Sequence, residues 1–268
     1  MENERNMVPR TVDEIREQYK TADNFNARIR LHTRFRTNKS SIFRFEFDAL
    51  DVPADARILE LGTGTALFWR SNADRIPPGW RVTLSDFSAG MLNDARANLA
   101  AAARPFMLMQ IDAQALPFDD GSFDAVIANH MLYHVPDIPR ALREIRRVLV
   151  PGRACYSATM GIANMREFDE IVHRFTGHKM NNAAVRFGLE SGFEHMSKVF
   201  SRVEVKRFDD ALEVTVSQPI IDYINSTRLG SVVGEAQKSA LKEYVESEIR
   251  AHGAVHFSKD TGVLIATA

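Results

Sequence analysis

Between Arg57 and Thr159 the chain repeats one pattern, short apolar runs set apart by segments mostly of helix length. The runs are "RILELG", "RVTLSD", "FMLMQID", "FDAVIAN" and "RACYSAT". Helical patterns stand between them at "TALFWRSNADRI", "SAGMLNDARANLAAAA" and "IPRALREIRRVL". Strands that alternate with helices cannot close as tight hairpins. They need crossover connections, and these make a parallel sheet of right-handed βαβ units. Pro77-Pro78-Gly79 and Pro151-Gly152 punctuate the ends of two helices, and Ser88 caps a third at its start.

After Thr159 the regularity weakens. "NMREFDEIVHRF" and "LESGFEHMSKVF" read as helices of an insertion, and "RVEVKRF" as a strand. Helices near "SQPIIDYIN" and "QKSALKEYVESEIR" and a last strand at "TGVLIATA" complete the pattern. Ahead of Leu50 the chain reads as helical. "TVDEIREQY" carries Thr11 and Glu14 at capping-box spacing. From Asn24 to Phe45 there are six cations and no acid, and Phe25, Ile29, His32 and Phe35 recur at helical steps. The expectation is an α/β doubly wound, mostly parallel sheet. Residues 1–50 form a helical lid, and residues 51–268 form the main domain with a helical insertion at about 161–200.

The stretch "ILELGTGTALFW" places an acid and two glycines where an apolar strand ends. In open parallel sheets ligands bind at that edge, and glycines there let a ligand approach the backbone. A nicotinamide dinucleotide requires glycine at the first, third and sixth positions. Counting from Gly62, the sixth position is Leu67, so that fingerprint fails. Glu60 repels a pyrophosphate and suits a ligand carrying an ammonium or sulfonium. Asp86 closes the second run and Asp112 the third. Each alone reads as a turn residue or cap, but three acids ending three successive strands line one rim.

At this point the sequence resembles a known family. "ILELGTGTA", "VTLSDFSAGML", "QIDAQALPFDDGSFDAVIANHMLYHVPD" and "ALREIRRVLVPGR" are similar, in order, to the motifs of class I S-adenosylmethionine-dependent methyltransferases. The nearest group is the broad one that includes the ubiquinone/menaquinone-biosynthesis enzymes. The resemblance covers about residues 57–160 and implies a Rossmann-like, seven-stranded sheet with the insertion after the fifth strand. It implies S-adenosyl-L-methionine as cofactor and S-adenosyl-L-homocysteine as product. It places Glu60, Gly62 and Gly64 around the methionine part, Asp86 at the ribose and Phe87 and Met91 beside the adenine. Asp112 and Ala113 fall at the adenine edge, and Asn129 near the methionine end. Ala66 departs from the pattern, where a third glycine is common.

"ANHMLYHVPD" follows the fourth strand, so His130, Tyr133 and His134 are the candidate catalytic groups. His130 is the preferred base, His134 also reads as a loop-fixing histidine, and Tyr133 as a pocket wall. Positioning of the acceptor alone, without a base, is the other option. Tyr19, Arg28, His32 and Phe35 are the lid residues expected to face the acceptor. No metal-binding motif occurs.

Composition narrows the partners. The formal net charge is −1, from 34 Lys and Arg against 35 Asp and Glu, which gives no global field for nucleic acid or an anionic membrane. No apolar run approaches the ~20 residues of a membrane span. Cys155 is the single cysteine and "MENERNMVPR" is polar, so a reducing cytoplasm is the expected setting. The leading reading is methyl transfer to a small-molecule O, N or C nucleophile. A nucleic-acid methyltransferase is the first alternative, disfavoured because the fourth strand is followed by "NHML". A cofactor-binding protein without catalysis is the second.

Overall fold

A computed structural model describes residues 22–102, 104–178 and 183–268. Five parallel strands form as the alternation requires: β1 (Arg57–Leu61), β2 (Arg81–Asp86), β3 (Met107–Gln110), β4 (Phe123–Ile127) and β5 (Leu149–Met160). Two more, β6 (Arg202–Phe208) and β9 (Thr261–Thr267), extend the sheet beyond β5. The seven-stranded order is β3-β2-β1-β4-β5-β9-β6, with β9 antiparallel to both of its neighbours. Strand order reverses next to β1, which opens a crevice at the carboxyl ends of β1, β2 and β4.

Two cores cover the sheet. On one face Leu59, Leu61 and Val126 pack with Leu142 and Ile145 of a helix at Ile138–Val148. On the other, Ile58, Ala125 and Ile127 meet Phe47, Phe68 and Trp69. Alternate residues of β1 thus serve opposite cores, which is why the strand reads as an unbroken apolar run. The helices follow their caps. Ser88 accepts from the Met91 amide to start Ala89–Leu99, and Asp137 accepts from the Arg140 amide to start Ile138–Val148.

Two local features differ from the pattern. The helix after the glycine turn covers only Leu67–Ser71, and the Asn72 side chain fastens its end, its Nδ2 donating to the Phe68 and Phe43 carbonyls. β5 begins at Leu149, so Pro151-Gly152 lies within the strand, where the register against β4 shifts.

A third core lies off the sheet. β7 (Ala211–Val214) and β8 (Val255–Ser258) form a separate antiparallel pair that the sequence reading did not separate out. Helices α1 (Ala22–Phe35), Arg166–Thr176, Gln218–Asn225 and Glu235–His252 pack around it through Leu31, Phe168, Leu212, Ile224, Val245 and Phe257. The chain after α1 is tied to this unit: the Thr37 amide donates to the Ala211 carbonyl, and the Asn38 amide to Asp210. The short helix α2 (Ile42–Asp48), capped by Ser41, returns the chain to the main sheet.

Candidate active site

One cavity of about 570 Å³ runs from the carboxyl ends of β1 and β2 to the third core. Its first pole is the glycine turn and the acidic strand ends. Gly62, Gly64 and Ala66 all have left-handed backbone, with φ of 67°, 55° and 58°. At Gly62 an added Cβ would fall 2.6 Å from the Met131 Cβ, so this glycine answers a packing demand. At Gly64 an added Cβ would meet no protein atom within 4 Å, and the residue borders the cavity. Ala66 is fully buried at a φ that glycine adopts without strain, so the departure from the family pattern stores some strain at the turn.

Asp86 braces that turn. Its Oδ2 accepts from the Gly64 amide at 2.9 Å and its Oδ1 from the Ser88 amide at 2.8 Å. Burial raises the carboxyl above its ordinary pKa, opposed by these amides. Each carboxylate oxygen keeps an acceptor site beyond these bonds. Glu60 lies behind the turn with Oε2 accepting from the Trp69 indole at 2.8 Å. Burial, augmented by the nearby Glu46 and Asp86 charges, pushes it up to about 7. Asp112 is occupied locally: its Oδ1 accepts from the Gln114 backbone and side-chain amides at 2.9 and 3.0 Å. Phe87, 43% exposed, and buried Met91 line the cavity beside these acids, as does Ala113.

His130 follows β4 in the left-handed conformation, φ 54°, and its Nε2 lies 3.0 Å from Oε1 of Glu46. Glu46 comes from α2 and is 2% exposed. Its second oxygen accepts from Asn129 Nδ2 at 3.4 Å, and Asn129 Oδ1 accepts from the Ala158 backbone amide at 2.9 Å. Asn129 therefore borders the cavity with its polar atoms engaged by protein. Tyr133 and His134 stack edge to face, 4.5 Å between ring centroids, on the same wall.

The second pole is built by residues the motifs did not indicate: Met160, Asn164, Asp210, Tyr223, Lys259 and Thr261, with His32 and Arg36 from the end of α1 and just beyond it. Of the four lid residues expected from sequence, His32 borders the cavity, whereas Phe35 is buried in the third core. Tyr19, the Thr11 cap and the side chain of Arg28 lie outside the described residues. Glu46 had a legible signal. It occupies the same helical face as Ile42, Phe43 and Phe47, where a carboxylate must have a buried partner. Lys259 and Asp210 sit in the short connections before β9 and β7 and carry no such signal.

Residues 59–156 match the family model described as a methyltransferase domain. The chain carries a methyltransferase domain over these residues. The ubiquinone/menaquinone biosynthesis C-methyltransferase of Hahella chejuensis is 37% identical over 111 residues, 41% of this chain and 45% of that protein. The malonyl-[acyl-carrier protein] O-methyltransferase of Erwinia pyrifoliae is 38% identical over 111 residues, 41% and 40% of the two chains. The matched segments thus span less than half the length of these curated relatives. In fold, the chain is similar to a putative antibiotic-pathway methyltransferase of Anabaena variabilis, with a TM-score of 0.60, 15% identity and coverage of 85% and 96%. Every first-pole residue from Glu60 to His134 falls inside the family-matched segment. Every second-pole residue falls outside it. Among the described residues no group of acids, histidines or cysteines has the geometry to hold a metal, and no helix is long and apolar enough to cross a membrane.

Proposed function

We propose that the protein transfers a methyl group from S-adenosylmethionine to a small molecule held at the second pole of the cavity. The observation that carries this reading is the continuity of one cavity from the Glu60–Gly64–Asp86 turn to His130 and on to Lys259. A volume of about 570 Å³ lies within the usual range for small-ligand sites.

The residues fit the cofactor. The open space at Gly64 admits a ligand against bare backbone, and the lone pairs left on Asp86 suit vicinal hydroxyls. The neighbouring acids Glu60 and Asp86 favour a cationic ligand. Phe87 and Met91 offer apolar faces for a purine. When bound, S-adenosylmethionine supplies an electrophilic methyl group on a sulfonium sulfur. The chain's own part is to hold the acceptor in line and to take its proton. His130 is the group for that proton, with Glu46 fixing the ring and stabilising the imidazolium that forms. Residues 22–50 act with the third core as the acceptor-side wall, and the remainder as the cofactor domain.

The relatives' printed names include a C-methyltransferase and an O-methyltransferase, each matched over 111 residues. The acceptor is set by the second pole, which lies outside the family-matched residues 59–156.

Calorimetry with the full chain tests the reading. S-adenosylmethionine and S-adenosylhomocysteine should bind at one site, NADH should not, and Asp86→Ala should weaken both sulfur compounds at least about tenfold. Absence of binding by either sulfur compound overturns it.

A further inference from the structure

The second pole holds polar atoms that the protein itself leaves unanswered. Thr261 lines the cavity, is 8% exposed, and its buried hydroxyl has no hydrogen-bond partner. The buried Nδ1 of His32, across the same cavity, also has none. The two carboxylates that line this end are already engaged. Asp210 accepts from the Asn38 amide at 3.0 Å and from Lys259 Nζ at 2.9 Å, and Glu46 is engaged by His130 and Asn129. The cations are not used up to the same degree. The Lys259 ammonium has three protons and gives one to Asp210. The Arg36 guanidinium makes one long bond, at 3.5 Å to the Lys39 carbonyl, and pairs with no carboxylate among the described residues. What remains at this end is hydrogen-bond donors and positive charge.

We propose that the acceptor is a small organic acid, whose carboxylate is held by Arg36 and Lys259 with the Thr261 hydroxyl and the His32 ring completing its hydrogen bonds. This rests on the methyl-transfer reading and names the substrate class for the same site. A carboxylate has about four lone-pair sites and so can satisfy all of these groups at once, whereas a neutral carbonyl has half that number. The two cations offset the loss of water around the anion, and guanidinium–carboxylate pairing fixes its plane. His32 fits as the neutral member of this set. Burial, and next the Lys259 charge, hold its pKa at about 3, and its ring stacks edge-on against Tyr223 at 5.9 Å. It meets the ligand as an uncharged imidazole that orients rather than as a third cation.

Binding can be read without turnover. The full chain, saturated with S-adenosylhomocysteine, is titrated with benzoate, phenylacetate and octanoate, each beside its own amide, and with inorganic phosphate. At least one acid should bind at least about tenfold more tightly than its amide, and inorganic phosphate should compete with it weakly or not at all. Arg36→Gln should weaken that acid about tenfold, and the near-isosteric Thr261→Val by a smaller factor, about threefold. S-adenosylhomocysteine affinity should be the same in both variants, which also reports that they fold. Equal binding of acids and amides, phosphate binding as tight as any acid, or Arg36→Gln and Thr261→Val without effect would each overturn the proposal. Failure of S-adenosylhomocysteine to bind the native chain would instead strike the methyl-transfer reading.

Discussion

Glu46 on α2 reaches across 3.0 Å to Nε2 of His130, joining a residue outside the methyltransferase segment to one within it. A 2%-exposed carboxylate left without this partner and Asn129 would be an uncompensated buried charge. The pair therefore ties the acceptor-side wall to the loop beyond β4. It also sets which way the histidine faces.

If His130 takes the acceptor's proton, His130→Gln should lower kcat by roughly 100-fold or more, the usual worth of a general base. Glu46→Gln, which keeps a hydrogen-bonding partner but not its charge, should lower kcat less and leave cofactor KM nearly unchanged. Steady-state kinetics on folded variants decide this. A His130→Gln enzyme with native kcat would mean that positioning alone supports transfer.

Asp86→Ala should weaken S-adenosylmethionine binding at least about tenfold, since each charge-assisted bond is worth about 1.5–3 kcal/mol. The same change releases the Gly64 amide from its 2.9 Å bond, so the turn itself should loosen. Calorimetry gives the affinity, and a near-native thermal transition shows that the sheet survives.

The two turn glycines should respond differently. Gly62→Ala forces a Cβ to within 2.6 Å of Met131 and should lower the melting temperature. Gly64→Ala meets no protein atom and should cost about 1–2 kcal/mol of backbone strain, yet it should impair cofactor binding because its methyl enters the cavity. Thermal melts with and without S-adenosylhomocysteine separate the two effects.

Glu60 predicts a pH dependence. Its pKa of about 7 exceeds the unfolded value of 4.5, so the free protein should lose stability as pH rises between them. A cationic ligand favours the ionised carboxylate, so S-adenosylmethionine affinity should fall as pH drops below about 7, by at most about tenfold per pH unit. Glu60→Gln should flatten that profile. A native profile that is already flat from about pH 6 to 8 would show that Glu60 does not sense the ligand's charge.

The first pole was legible because its residues are local in sequence. Glu60, Asp86 and Asp112 each close a short apolar run, and parallel strands must bring such ends to one edge. The second pole has no comparable marker. Lys259 and Asp210 lie 49 positions apart and meet where the β6–β9 and β7–β8 ladders adjoin, with Phe208 opposite Thr261 and Ala211 opposite Ser258. The β7–β8 pair escaped notice because four-residue strands resemble ordinary connections. Phe35 shares a helical stripe with His32, but the stripe spans both the cavity and the third core, so periodicity could not divide them.

The division of a single cavity between a family-matched half and an unmatched half bears on inhibition. A molecule that imitates only the cofactor would fill only the end that lies inside the family-matched segment. A fragment fitted to Arg36, Lys259 and Thr261 would be selective but small. Tethering the two through the unbroken space beside His130 makes the second contact intramolecular, so potency rises with the effective concentration of the tethered fragment. Selectivity in such a compound would come from the end that lies outside the family-matched segment.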